Sequence, residues 1–273
     1  MTFVVSLSSR DTVWLVADRR ISWDHKHSDH GVKVMTLETS DGVAILGYAG
    51  LGETPDGEQP SEWMSNLLYG FDMSMRDALW KLTHGVREQL GAHVIGQWNH
   101  LVLVPAFVDG ECRVYSIGLS KLGQVAYHQL RIQDPPYPAH LPPAPPRVIY
   151  TGSGGAWFAN QQVKSRWVRE LCSLAKKHDQ RRVSDNTVAD RLAALNLLVS
   201  HSVPTVSPHC FVVWLRRPGS KSPNPGHQNY EGTNRVEARS FPSIGTDPEG
   251  PALGDWILDQ TLSWESDLED DQC

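Results

Sequence analysis

The order of elements along this 273-residue chain predicts an α+β fold: two stacked sheets between two helical layers, a four-layer αββα sandwich. Two observations carry that expectation. Strand-like runs come first, then two helical segments, more strands, two further helical segments and a closing strand. The helical segments carry apolar stripes at three- and four-residue spacing, and only a sheet packed on each pair would bury them.

Taken in order, Phe3–Ser8 and Val13–Ser22 flank a Ser9-Arg10-Asp11 turn and read as a hairpin. Val32–Glu38 and Val43–Tyr48 flank Ser40-Asp41-Gly42, where Asp-Gly signals a short turn. Of the two helical segments that follow, the second places Leu79, Leu82, Val86 and Leu90 on one face. Leu101–Phe107 and Arg113–Gly118 are strands hinged at Asp109-Gly110, and Tyr127–Ile132 is a further strand. Seven prolines between Pro135 and Pro146 dictate a stiff, irregular loop.

Beyond it, Arg147–Tyr150 reads as a strand and Thr151-Gly152-Ser153-Gly154-Gly155 as a turn. A helix is expected to run from there to about Lys177, with Val163, Trp167, Leu171 and Leu174 as its buried stripe. The next helix starts at a Ser184/Asp185 cap and buries Val188, Leu192, Leu195 and Val199. Cys210–Leu215 is the closing strand. One domain is therefore expected over 1–216, with 217–273 as an extension. Residues 217–250, rich in Gly, Pro, Ser and Asn, read as a linker or an extended surface segment; Pro251–Trp264 is expected to dock through Trp256, Ile257, Leu262 and Trp264, and the acidic end to fray.

A net charge of -6 argues against nucleic acid as the main partner. No apolar run is long enough to span a membrane, and no export-signal pattern precedes Arg10, so a cytoplasmic protein with no membrane partner is expected. Cys112, Cys172, Cys210 and Cys273 are widely separated and read as reduced thiols.

The chemistry starts at Thr2. Removal of Met1, which aminopeptidases perform readily before so small a residue, would leave a free α-amine and a hydroxyl on one residue. That places a base within reach of a nucleophile. Downstream come Val16-Ala17-Asp18-Arg19-Arg20, Gly31-Val32-Lys33-Val34, Gly47-Tyr48-Ala49-Gly50 and Thr151-Gly152-Ser153-Gly154-Gly155.

Each motif is short, but in this order and near this spacing the set resembles the proteasome β-type subunits of the N-terminal nucleophile hydrolases. The resemblance runs from Thr2 to Leu215 and is nearest the HslV branch, especially the betaproteobacterial proteasome homologue. It implies a threonine endopeptidase that acts on peptides or unfolded protein and assembles as a homo-oligomeric double ring, without cofactor or metal. It leaves open whether an unfoldase feeds the ring.

The same resemblance implies the roles. Thr2 Oγ is the nucleophile and its own α-amine the proton acceptor. Lys33 favours the alkoxide, Asp18 pairs with Lys33, the Gly47 N–H holds the oxyanion, and Ser153 bonds the terminal amine. Ser22 would pair its backbone with substrate, while Ile45 and Ala49 would line a modest apolar pocket. The loop Ser202-Val203-Pro204-Thr205-Val206-Ser207 departs from the family, which usually carries an Asp there. Ser202 and Thr205 are the positional candidates for that support.

Other readings stand beside this one. The Thr151–Gly155 turn lacks the Gly-Lys-Ser/Thr of a phosphate loop and fails the G-x-S-x-G pattern. His25, His27 and His30 with Asp24 and Asp29 read as a polar loop rather than a metal centre. Two rival functions are a ring subunit of this fold that has lost activity, and an N-terminal nucleophile amidase acting on a small amide.

Overall fold

The computed structural model describes residues 2–23, 26–50, 58–70, 72–90, 100–122, 124–133, 146–219, 225–237 and 241–244. The Pro135–Pro145 loop and everything from 245 onward, including the expected docking of Pro251–Trp264, lie outside the described residues.

The N-terminal half holds β1 (Phe3–Ser8), β2 (Thr12–Asp18), β3 (Ile21–Trp23), β4 (Lys26–Ser28), β5 (Val34–Thr39) and β6 (Gly42–Ala49). The helices α1 (Pro60–Leu68) and α2 (Met75–Gly85) follow, the latter running into a π-helical turn at Val86–Leu90. Next come β7 (His100–Val108), β8 (Glu111–Leu122), β9 (Gln124–Gln133) and β10 (Arg147–Thr151). The helices α3 (Gly152–Ala159), α4 (Lys164–Asp179) and α5 (Asp185–Ser200) precede β11 (Cys210–Arg216), β12 (Gly226–Glu231), β13 (Asn234–Val236) and β14 (Ser243–Ile244).

These strands form two six-stranded sheets, ordered β10-β1-β2-β11-β12-β13 and β14-β5-β6-β7-β8-β9, with β3-β4 as a separate ribbon. The α+β class thus holds among the described residues. Strand alternation decides which side chain goes where. In β1, Phe3, Val5 and Leu7 meet Phe158, Leu171 and Leu192 of α3, α4 and α5, while Val4 turns to the other side. In β6, Ala44, Leu46 and Tyr48 meet α1 and α2, whereas Ile45 and Ala49 join Val4, Leu15 and Phe211 in a third apolar cluster fed by both sheets.

Local signals set several boundaries. Ser184 caps α5 by accepting the Thr187 N–H at 3.3 Å. Asp109 and Gly110 both take positive φ, at 52° and 75°, which makes the tight β7–β8 hairpin.

Four expectations are corrected. The second strand does not run to Ser22. It stops at Asp18, whose carboxylate accepts the Arg20 N–H two residues on and turns the chain there. The helix after β10 is not continuous to Lys177, since α3 ends at Ala159 and Val163 sits exposed at the α4 N-cap. The Thr151–Gly155 turn is the last residue of β10 and the first turn of α3.

Finally, the described residues within 217–250 are no simple linker. β12 pairs with β11, and β14 pairs in parallel with β5. Tyr230 and Arg235 both bond Asp190 of α5, at 2.8 Å each, fastening the β12–β13 hairpin to that helix. Phe241 enters the cluster shared by the two sheets. No local periodicity announces these short strands, which exist only because β11 and β5 offer them open edges.

Candidate functional site

Thr2 precedes β1 in one sheet and Lys33 precedes β5 in the other, so stacking the sheets is what brings them together. Lys33 Nζ donates to Thr2 Oγ1 at 2.8 Å. It also lies 3.4 Å from Asp18 Oδ1 and 3.5 Å from Oδ2. Thr2, Asp18 and Lys33 are each 1% exposed. Burial pushes the Lys33 ammonium below its ordinary range, and the Asp18 carboxylate partly offsets that.

Asp18 does more than neutralise. It accepts the Phe3 N–H at 2.7 Å, the Arg20 N–H at 2.9 Å and the Ser207 N–H at 3.2 Å. The carboxylate is thereby fixed by three backbone donors, and it ties the residue after Thr2 to the loop before β11. Such charge-assisted bonds are short and directional, which suits a group that must hold a buried cation in place.

The first turn of α3 closes the far side. Gly154 N donates to the Thr2 carbonyl at 3.4 Å, and Phe3 bridges to Gly152. Ser153 Oγ lies 3.0 Å from Thr205 Oγ1. Of the two loop candidates, Thr205 is therefore the one beside Ser153, while Ser202 is exposed in the turn after α5.

Gly47 lies on β6 opposite Val34, the neighbour of Lys33, and Tyr48 N–H donates to the Lys33 carbonyl at 2.9 Å. A Cβ on Gly47 would lie 2.7 Å from the Leu15 side chain and 3.1 Å from Val4, so any larger residue here would have to displace the packing between the sheets.

The three expected substrate contacts are scattered. Ser22 is half-buried in the β3–β4 ribbon opposite His27. Ile45 and Ala49 point into the cluster between the sheets, Ile45 with no exposed surface.

Two residues escaped the sequence reading. Asp29 takes a two-pronged bond from Arg20, at 2.8 Å to each oxygen. Ser207 reaches Asp18 through its backbone. Apart from the Ser207 hydroxyl, which accepts the His209 N–H two residues on, their partners lie on other segments and leave no local signal. Among the described residues no cluster of His, Cys, Asp or Glu could hold a metal, and no helix is long and apolar enough to cross a membrane.

No family model and no curated protein matches the chain. Among solved structures it is similar to Anbu (ancestral beta-subunit) from Yersinia bercovieri, with 13% identity and a TM-score of 0.46 over 79% of this chain and 81% of that one. It is similar to Anbu from Hyphomicrobium sp. strain MC1, with 12% identity and a TM-score of 0.45 over 98% and 95% of the two chains. The helical assembly of the Anbu complex from Pseudomonas aeruginosa gives 12% identity and a TM-score of 0.48 over 98% and 95%. Likenesses at these scores assign neither fold nor activity, and the functional reading rests on the residues of this chain.

Proposed function

We propose that this protein is a threonine peptidase of the proteasome type, a four-layer N-terminal nucleophile hydrolase nearest the HslV branch. In this reading it cuts peptides or unfolded protein inside a homo-oligomeric ring in the cytoplasm. One observation carries it: the Lys33 ammonium sits 2.8 Å from the Thr2 hydroxyl oxygen. A buried lysine aimed at a buried threonine hydroxyl has little structural purpose, because a leucine pair would fill the space at lower cost.

The chemistry then follows. Removal of Met1 frees the Thr2 amine, whose ordinary pKa near ~8 leaves a usable unprotonated fraction at neutral pH. Through a water it takes the Oγ proton as Oγ bonds to the scissile carbonyl carbon. Lys33 stabilises the developing alkoxide, and the Gly47 N–H is the assigned oxyanion donor. Collapse breaks the C–N bond, and the leaving amine takes the proton. Water then cleaves the Thr2 ester and releases the acid. Ser153, held by Thr205, orients the amine.

Intact mass measurement followed by reaction with a peptide epoxyketone tests this, since that warhead needs hydroxyl and free amine together. The expected result is a chain lacking Met1 with one adduct on Thr2. Retained Met1, or no adduct, would instead support the inert ring subunit, the reading favoured by a 202–207 loop without a carboxylate. A monomeric particle in light scattering would speak against the ring.

A further inference from the structure

We propose that Arg20 and Asp29 form a positioning latch, in which Asp29 supplies, from the segment between β4 and β5, the carboxylate that the 202–207 loop lacks. The latch deepens the peptidase reading and rests on it for its catalytic consequence only.

Three consecutive residues grip the loop before β11. Asp18 accepts the Ser207 N–H at 3.2 Å, Arg19 N–H donates to the His209 carbonyl at 3.1 Å, and the Arg20 guanidinium donates to the Pro204 carbonyl. The Arg20 fork is completed by both Asp29 oxygens, at 2.8 Å each. An exposed ion pair would contribute little. This one is bidentate and mostly covered, with side chains 14% and 23% exposed, and its third contact is the loop backbone itself.

The gripped loop carries Thr205, whose hydroxyl touches Ser153. A continuous set of contacts thus runs from Asp29 through Arg20 and Pro204 to Thr205 and Ser153, and along the same loop to Ser207, whose N–H meets Asp18.

The pair also has an electrostatic consequence at Lys33. Burial lowers its pKa first of all. Asp18 on β2 opposes this most strongly, Asp29 adds to that opposition, and Arg20 works the other way. The hydroxyl of Thr2 is its neutral neighbour. At Lys33 the two members of the latch therefore oppose each other, Asp29 raising the pKa and Arg20 lowering it. With one member neutralised, the other acts alone.

That opposition gives a test needing no turnover. Lysine is labelled at 13Cε, the Lys33 signal is identified by its loss in Lys33→Arg, and its titration is followed by NMR. Relative to the unmodified protein, the midpoint should fall in Asp29→Asn, rise in Arg20→Gln, and return in the double variant. Hydrogen exchange should show the Thr205, Val206, Ser207 and His209 amides opening on the order of tenfold faster in both single variants. Arg20→Lys keeps the charge but loses the fork, so it should loosen the loop while leaving the Lys33 midpoint in place.

Midpoints that stay put or move the same way, or loop amides equally protected in Asp29→Asn, would overturn the latch. Failure of the epoxyketone adduct in the unmodified protein would sink the peptidase reading and leave these readouts intact.

Discussion

Gly152 and Thr2 meet so closely that no side chain fits between them: a Cβ on Gly152 would lie 1.9 Å from the Thr2 carbonyl oxygen. Gly152 also takes a φ of +81°, which side-chain-bearing residues rarely adopt. The start of α3 is thus shaped around the backbone of the candidate nucleophile.

Gly152→Ala should therefore displace Thr2. The strained φ alone costs about 1–3 kcal/mol, and relieving the clash moves the hydroxyl away from Lys33. Urea unfolding should show the loss, and the epoxyketone adduct should disappear. Gly110→Ala is the control: its φ of +75° is equally strained, but nothing lies within 4 Å of the added Cβ. It should lose stability and keep the adduct.

Asp18→Ala should be among the most damaging single changes. It leaves Lys33 buried without its main counter-charge and orphans the Phe3, Arg20 and Ser207 N–H groups. Breaking a buried pair in this way costs about 3–5 kcal/mol. Lys33→Met should abolish adduct formation. The double variant Asp18→Asn with Lys33→Met should recover part of the midpoint in urea, because no uncompensated charge remains. A double variant no more stable than Asp18→Ala would refute this account of the pair.

Acid should destabilise the fold through two carboxylates. Burial raises Asp29, yet the Arg20 fork outweighs it and holds the pKa below the ordinary value. Asp185 is likewise raised by burial and lowered more by His178, at 2.9 Å, and by Arg216. A carboxyl depressed on folding adds stability that is complete above its unfolded pKa, near ~4, and lost as pH falls through the folded value. Stability measured from pH 6 downward should hold to about 4 and then decline. Asp185→Asn should be less stable at pH 6 and decline less steeply.

Thiol labelling offers an independent check on the packing. Burial pushes Cys112 up to about 11 and Cys210 higher still, so both remain protonated at pH 8. Iodoacetamide at that pH should leave both unmodified in the native protein and alkylate them in urea. Rapid native labelling of Cys210 would contradict its place beneath α5 in the sheet.

Much of this molecule can be read residue by residue. The apolar runs of β1, β2 and β11, the stripe of α5 with its Ser184 cap, and the Asp109-Gly110 hinge all express local preferences. The Thr2, Asp18 and Lys33 trio was visible as motifs, but only by resemblance, since nothing in their spacing says that they touch.

Other features lay beyond any local pattern. N–H groups from the Phe3 strand and the Ser207 loop converge on Asp18. β12 and β14 form because open sheet edges accept them, and Ile45 is spent between the sheets because its neighbours across the gap are Leu15 and Phe211.

Hydrophobic alternation, turns and caps are properties of neighbours along the chain, so the elements and their buried faces follow from the residues alone. The 2.8 Å contact of Lys33 with Thr2 and the grip of Asp29 on Arg20 belong to the packed molecule. They join groups from separate strands and loops, and their energy exists only where folding has removed water from between them.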